Sequence, residues 1–424
     1  MPKNFENLLD YIQTLTIIDT HEHLPAFEEK REFETDFLCE YLFHYFNSDL
    51  VSSGMPLETL EVVMDHNKPL MDRWKLVEPF WENSRNTGYG RALDHSVRIL
   101  YGIPGINSKT AEAVADAFQK SLTPGRFKHV LKDVCRIHTS IHDNLDHENR
   151  ECDRELFSPL FMADEWIHPP SYDFMIGRAK KYGVRLHRLE DWQDACSLAF
   201  EEAVRQGIVA VKSALAYDRT IAYPRPHYSD AEAAFSDAVT ASLKSGRSMQ
   251  YPPGKAFEDH MMHYICRLAG ENGLTFQIHT GIQEGYGNYL YASNPLHLNN
   301  LFFDYPEVKF DVFHISYPWY MELAALAKQF QNVYIDMCWA HIISPEASVR
   351  ALSEFLDSVP VNKISAFGGD YVFIDGVAGH LHMAQINVAR VLDKKVEQGV
   401  FDLDEAKVIA KKLFFDNPSA LFGI

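Results

Sequence analysis

The chain has 424 residues, 46% hydrophobic and 13% aromatic, with 40 Lys+Arg against 59 Asp+Glu and a formal charge of −19. That apolar content supplies a large core and excludes a disordered chain, while the acidic balance without a sustained basic stretch argues against binding nucleic acid through its phosphates. The balance favours a soluble, freely diffusing protein.

The opening MPKNFENLLDYIQ lacks the basic-then-apolar order of a signal peptide, and no stretch approaches 18 consecutive apolar residues, so a cytoplasmic protein without membrane contact is expected. Cys39, Cys135, Cys152, Cys196, Cys266 and Cys338 form no CxxC pair and are expected as buried, reduced thiols. A prior of roughly 150 residues per domain suggests two or three domains, but an α/β barrel with insertions can exceed about 400 residues as one unit.

In chain order, short apolar runs recur: LTIIDTHEH from Leu15, VCRIHTSI from Val134, LFSPLFMAD from Leu156, IVAVKSALAY from Ile208, LTFQIHT from Leu274, VKFDVFHIS from Val308, VYIDMCWAH from Val333 and ISAFGGD from Ile364. Helical periodicity lies between or after them, at about 229–247, 256–271, 319–330, 346–357, 380–398 and 403–415. Near-continuous apolar strands alternating with helices predict an α/β fold with a parallel sheet, and eight such units predict closure into a (β/α)8 TIM barrel. The long gap after the first run carries helical patterning and the aromatic segment WKLVEPFWENSRNTGYGRAL from Trp74 to Leu93. We read residues 25–130 as a helical insertion, a lid or substrate wall, within one barrel spanning 1–424. A separately folding N-terminal domain is the competing account.

Working residues of such a barrel come from the C-terminal ends of its strands. The first run closes on His21-Glu22-His23, whose two imidazoles share one side of a strand and make a metal-ligand pair. A second HxH, His380-Leu381-His382, is assigned to a helix start and to packing, and His260/His263 and His138/His142 have helical spacing without a carboxylate pattern. Lys212 stands in an apolar run, where an unpaired ammonium is costly. An ion-paired lysine is the first reading, and a lysine carbamate formed with carbon dioxide, able to bridge two divalent ions, is the second. His279 and His314 singly read as core histidines, but together they complete a set. Asp370, after Gly368-Gly369, is either a helix cap or a metal ligand that also takes a proton.

The order HxH, Lys, His, His, Asp on strands one, four, five, six and eight resembles the amidohydrolase superfamily of metal-dependent (β/α)8 enzymes. More closely, IIDTHEHL, DLVSSGM, NTGYGRAL, AVKSALAY, FQIHTG, SNPLHL, HISYP and DNPSALFGI resemble the amidohydrolase-type domain of nodulin/glutamine-synthetase fusion proteins. The resemblance implies that His21 and His23 bind the more buried metal, that carboxylated Lys212 bridges two metals, that His279 and His314 hold the second, and that Asp370 binds metal and acts as the base. Two zinc ions are implied, with manganese or iron as alternatives. Two departures stand out: Asp218 intervenes between Tyr217 and Arg219, where the relatives carry Ala-Tyr-Arg, and the lysine bridge is not universal in the superfamily. No glutamine-synthetase portion is expected.

The leading reading is hydrolysis of a C–N, amide-type bond in a small polar substrate by metal-activated water. The alternative is non-hydrolytic chemistry of the same scaffold, either decarboxylation of aromatic acids or uronate isomerisation, since the long insertion is reminiscent of the uronate isomerases. A catalytically inactive metal-binding protein is a third reading. Trp81, Arg85, Tyr89, Tyr217, Arg219, Gln283 and His341 are candidates for substrate contact, each weighed first as packing or surface. Assembly into a homo-oligomer is left open.

Overall fold

A strand followed by a helix can bury an apolar run on both faces only if the strands pair in parallel and the helices cover the outside. The computed structural model, which describes residues 3–144, 150–245 and 254–424, meets this condition with eight strands: β1 (Ile17–Glu22), β2 (Ile137–His142), β3 (Phe157–Met162), β4 (Ala210–Ser213), β5 (Thr275–Ile278), β6 (Phe310–Val312), β7 (Val333–Asp336) and β8 (Ile364–Ser365). They pair in sequence order, each parallel to the next. Every strand lies in its predicted run except that β2 overruns by one residue, His142. The seam between β8 and β1 is closed by Thr20 N–H donating to Phe367 O at 3.1 Å, Asp370 N–H to His21 O at 2.8 Å and His23 N–H to Tyr371 O at 3.1 Å. The fold is therefore a (β/α)8 TIM barrel.

The covering helices include Leu189–Arg205, Tyr228–Ser245, Lys255–Glu271, Tyr320–Gln329, Pro345–Ser358, Ile374–Glu397 and Leu403–Lys411. Local chemistry sets their starts: the Ser344 hydroxyl accepts from Ala347 N–H with Pro345 in the first turn, and Asp402 with Glu405 forms a capping box. Three expectations need correction. The helix expected from 380 begins at Ile374, so His380 and His382 lie inside it rather than at its start. The 403–415 helix stops at Lys411 and continues as a π-helical turn, Lys412–Asp416. His138 and His142 belong to strand β2, not to a helix, and His142 Nε2 donates to Leu24 O at 2.7 Å. Of the 229–247 helix, positions 246 and 247 lie outside the described residues.

Between β1 and β2 the chain runs through helices including Tyr45–Ser52, Leu70–Ser84, Gly88–Tyr101 and Ala111–Ser121. Their fully buried aromatics pack together, with Trp81 4.9 Å from Phe46 and 6.0 Å from Trp74 between ring centroids. This layer also touches the barrel at glycines. A Cβ on Gly379 would lie 2.0 Å from Ala92 O, and one on Gly88 would lie 2.0 Å from Ile342 O. A buried ion pair, Arg126 Nη2 to Asp375 Oδ1 at 2.7 Å, joins the same two layers, and Tyr41 Oη donates to Asp375 Oδ2 at 2.9 Å. The six cysteines are unpaired, with Cys39 half-buried and the other five buried. Among the described residues no helix is long and apolar enough to cross a membrane.

Candidate metal centre

Five strand ends converge on one point. His21 Nε2 lies 3.2 Å from His23 Nε2 and 3.4 Å from Lys212 Nζ. His23 Nε2 is 3.2 Å from Asp370 Oδ1, and His314 Nε2 is 3.8 Å from Asp370 Oδ2 and 3.0 Å from His279 Nδ1. The structure thus brings His21, His23, Lys212, His279, His314 and Asp370 together at the mouth of the barrel.

The outer nitrogens decide what the inner ones can do. His23 Nδ1 donates to Asp143 O at 3.1 Å, His279 Nε2 to Ile282 O at 3.0 Å and His314 Nδ1 to Cys338 O at 2.9 Å. A carbonyl can only accept, so each ring carries its proton on the outside and turns a lone pair inward. His279 Nδ1 and His314 Nε2 then oppose lone pair to lone pair, an arrangement that calls for a cation between or beside them. Two nitrogens on one tetrahedral zinc at ~2.0–2.1 Å are separated by about 3.3 Å, close to the His21–His23 spacing. The donor set therefore fits divalent metal.

Burial pushes His21, His279 and His314 toward their neutral forms, while at His23 burial is outweighed by the hydrogen bond to Asp370 and the Asp143 charge, which raise the ring above its ordinary value. Burial takes His314 down to about 4 and, helped by Lys212 and His314 respectively, His21 and His279 well below their ordinary value. Burial alone would raise Asp370, but the hydrogen bond to His23 and the His21 and His314 rings outweigh it and hold the carboxyl well below its usual range. A carboxylate beside the neutral rings of His21, His279 and His314 is the ligand-ready state.

The aspartate is held in a strained place. Asp370 has φ 56°, uncommon for a residue with a side chain, and its carbonyl accepts from Tyr45 Oη. The preceding glycines are required by space: a Cβ on Gly369 would fall 1.6 Å from Glu22 Oε1, and one on Gly368 would fall 2.5 Å from Thr20 Oγ1. Buried Asp19 accepts from Gly369 N–H at 2.9 Å and Ser140 Oγ at 2.9 Å, and Glu22 Oε2 accepts from Tyr371 N–H at 2.9 Å. These two carboxylates set the position of the Asp370 loop.

Lys212 is 2% exposed and lies 3.9 Å from the centre of the Phe313 ring, and among the described residues it makes no ion pair with a carboxylate. The first reading of its sequence, a lysine paired with an acidic neighbour, therefore has no counterpart in its contacts.

The substrate candidates scatter. Tyr89 stacks on Tyr45 at 5.3 Å, and Tyr45 stacks on Trp339 at 4.6 Å, whose ring is 5.1 Å from His314. Tyr217 meets His279 edge-on at 4.7 Å. Gln283 lies in the next loop, its Nε2 donating to Ala216 O at 2.9 Å. Arg219 is buried in ion pairs with Glu258 at 2.6 Å and Asp259 at 2.5 Å. Trp81 sits in the insertion's own core and donates to Ile106 O, Arg85 pairs with Glu82, and His341 donates to Ala366 O. The structure does not bring these last three to the ligand cluster.

Several residues at the site escaped the sequence reading. Asp143 Oδ2 lies 3.7 Å from His21 Nε2, and the Cys338 thiol stands with His314 and Asp370. Extending the second run by two residues would have exposed Asp143 as a strand end. His44 and Tyr45 come from the insertion, where no strand-end position marks them.

Comparison with known proteins follows the same lines. A family model described as Amidohydrolase matches residues 167–424. Protein fluG of Emericella nidulans is 30% identical over 149 residues, which are 35% of this chain and 17% of that protein, so the chain spans under a fifth of that relative's length. The uronate isomerase of Cutibacterium acnes is 24% identical over 97% of this chain and 93% of its own. The crystal structure of uronate isomerase from Thermotoga maritima superposes with a TM-score of 0.78 at 17% identity, covering 100% of this chain and 98% of that one.

Proposed function

We propose that this chain, which belongs to the amidohydrolase family, is a divalent-metal isomerase that interconverts the aldose and ketose forms of a small polyhydroxylated substrate. One observation carries this reading. His44 is a non-glycine residue at φ 65°, ψ −114°, its buried Nδ1 has no hydrogen-bond partner, and it lies within electrostatic reach of Asp370 and His23. Strain of this kind is kept where the surrounding structure needs it. Burial pushes His44 down to about 4, so at neutral pH it is an unprotonated base with a free lone pair.

His21, His23, His279, His314 and Asp370 would hold the metal, two zinc ions in the fullest form, with manganese or iron as alternatives. The metal supplies a Lewis acid that polarises a carbonyl and orients the neighbouring oxygen. Asp370 takes the proton from the substrate hydroxyl and returns it to the carbonyl oxygen of the next carbon. His44 removes the carbon-bound proton and returns it to the adjacent carbon, so no atom is gained or lost. Tyr45, whose phenol burial keeps protonated, fixes Asp370 through its carbonyl, and the stacked Tyr45, Tyr89 and Trp339 exclude water from the reacting carbons. In this reading the 25–130 insertion is the wall that delivers His44, Tyr45 and Tyr89. The extent of likeness to the uronate isomerase, nearly the whole chain against about a third for fluG, supports it.

The second reading, hydrolysis of an amide, draws on Lys212. A buried lysine without an acidic partner, at a cluster that would hold cations, suits a carbamate made with carbon dioxide that bridges two ions. Incubating metal-loaded protein with uronic acids, neutral aldoses and small amides separates the readings. Isomerisation converts an aldose to its ketose with the carbon-bound hydrogen largely retained, and hydrolysis releases an amine. Amine release from amides with no ketose formed from any sugar would overturn the isomerase.

A further inference from the structure

Beside the ligand cluster, between the loops after β4 and β5, lies a cavity of about 740 Å³ whose wall includes Tyr217, Asp218, Gln283, Asn288, Tyr289 and Tyr291. We infer that it is a subsite for a protonated amine carried by the substrate.

Three independent features point to a cation. The first is an acceptor without a donor: Gln283 is 4% exposed, its Nε2 is committed to Ala216 O, and its Oε1 has no hydrogen-bond partner. A buried amide oxygen left so is costly, and a turn of the Gln283 amide toward the cavity would let a ligand N–H or O–H relieve it. The second is charge. Asp218 lines the cavity, is exposed and makes no ion pair among the described residues. Arg219 also belongs to the lining, but its guanidinium is buried against Glu258 and Asp259, and Lys255 behind it pairs with Asp259 at 2.5 Å. A carboxylate-bearing ligand would meet the Asp218 carboxylate, with the one cation of the lining already held by Glu258 and Asp259. The third is aromatic surface. Tyr289 is 91% exposed and Tyr291 74% exposed, although both line the cavity, and the loop carrying them turns at Gly285 and Gly287, with φ of 95° and 87°. Ring faces beside a carboxylate are the setting in which an ammonium is held by cation–π attraction.

Tyr217 joins this cavity to the metal cluster, since its ring lines the one and meets His279 of the other. The inference deepens the isomerase reading by giving its substrate an amine, and rests on that reading only for the reaction at the other end.

The test is calorimetric titration of metal-loaded protein with putrescine, butanediol and succinate, which share a four-carbon frame with positive, neutral and negative ends. Putrescine is expected to bind about tenfold more tightly than butanediol, as for a charge-assisted contact near the surface, and Asp218→Asn is expected to abolish most of that preference. Gln283→Leu should weaken both hydrogen-bond donors. Equal affinity for putrescine and butanediol, displacement of putrescine by succinate, or a preference untouched in Asp218→Asn would overturn the inference. These readouts need no turnover. An isomerase indifferent to amines sinks the subsite alone, while amine binding without isomerisation sinks only the reaction.

Discussion

His279 and His314 oppose unprotonated nitrogens at 3.0 Å, because each has its other nitrogen tied to a backbone carbonyl. Relief of that opposition by a cation stabilises the folded state. Metal at about 100 times its Kd should add roughly 2.7 kcal/mol, so chelation should lower Tm and zinc should restore it. In His314→Ala the zinc-dependent rise in Tm should shrink, as followed by scanning calorimetry.

On the hydrolytic reading, Lys212 is carboxylated in the metal-loaded protein. Labelled bicarbonate is expected to give a carbamate carbon signal that Lys212→Ala lacks. That variant should lose metal and recover part of it with added short carboxylates. A bare ammonium in the metal-loaded protein would instead favour the isomerase with a single ion.

Asp370→Asn keeps the shape and one oxygen but cannot accept a proton. Turnover should fall by roughly 10²–10⁴ while most metal is retained. His260→Ala is the control, since that ring contacts Gln193 of a neighbouring covering helix, and it should cost little activity.

Gly379→Ala should separate the insertion from the helix Ile374–Glu397, because its methyl would meet Ala92 O at 2.0 Å and Ser96 Oγ at 2.5 Å. A loss of about 1–3 kcal/mol is expected in denaturant unfolding, as for other overpacked contacts.

Glu40 gives a pH dependence away from the metal cluster. Burial pushes it up to about 7 against the lowering effect of Arg31, 3.1 Å away. A raised carboxyl binds its proton more tightly in the folded state, so its contribution is full below the unfolded value near ~4.3 and is lost as pH rises through about 7. Unfolding free energies of Glu40→Gln should therefore vary less than those of the native chain between these limits.

The eight strands were legible because a strand buried on both faces has no polar alternation to confuse, and the residues now clustered at the mouth were legible as the polar ends of those runs. Other features left no local mark. The start at Ile374 was hidden by Gly376 and Gly379, which weaken helical propensity but let the insertion approach. Arg219 reads as a free cation until the helix carrying Glu258 and Asp259, some forty residues on, neutralises it. His44 and Tyr45 reach the mouth only through the tertiary packing of the insertion, which no periodicity in their own segment reports.

The seam between β8 and β1 also has a consequence for assembly. His21 and His23 emerge first during synthesis, yet Asp370, whose N–H bonds to His21 O, emerges some 350 residues later. A closure of such long sequence separation comes late and slowly. A nascent barrel would therefore hold its first histidines open until the last strand docks, and metal loading would become a post-synthetic event that reports completion of the ring.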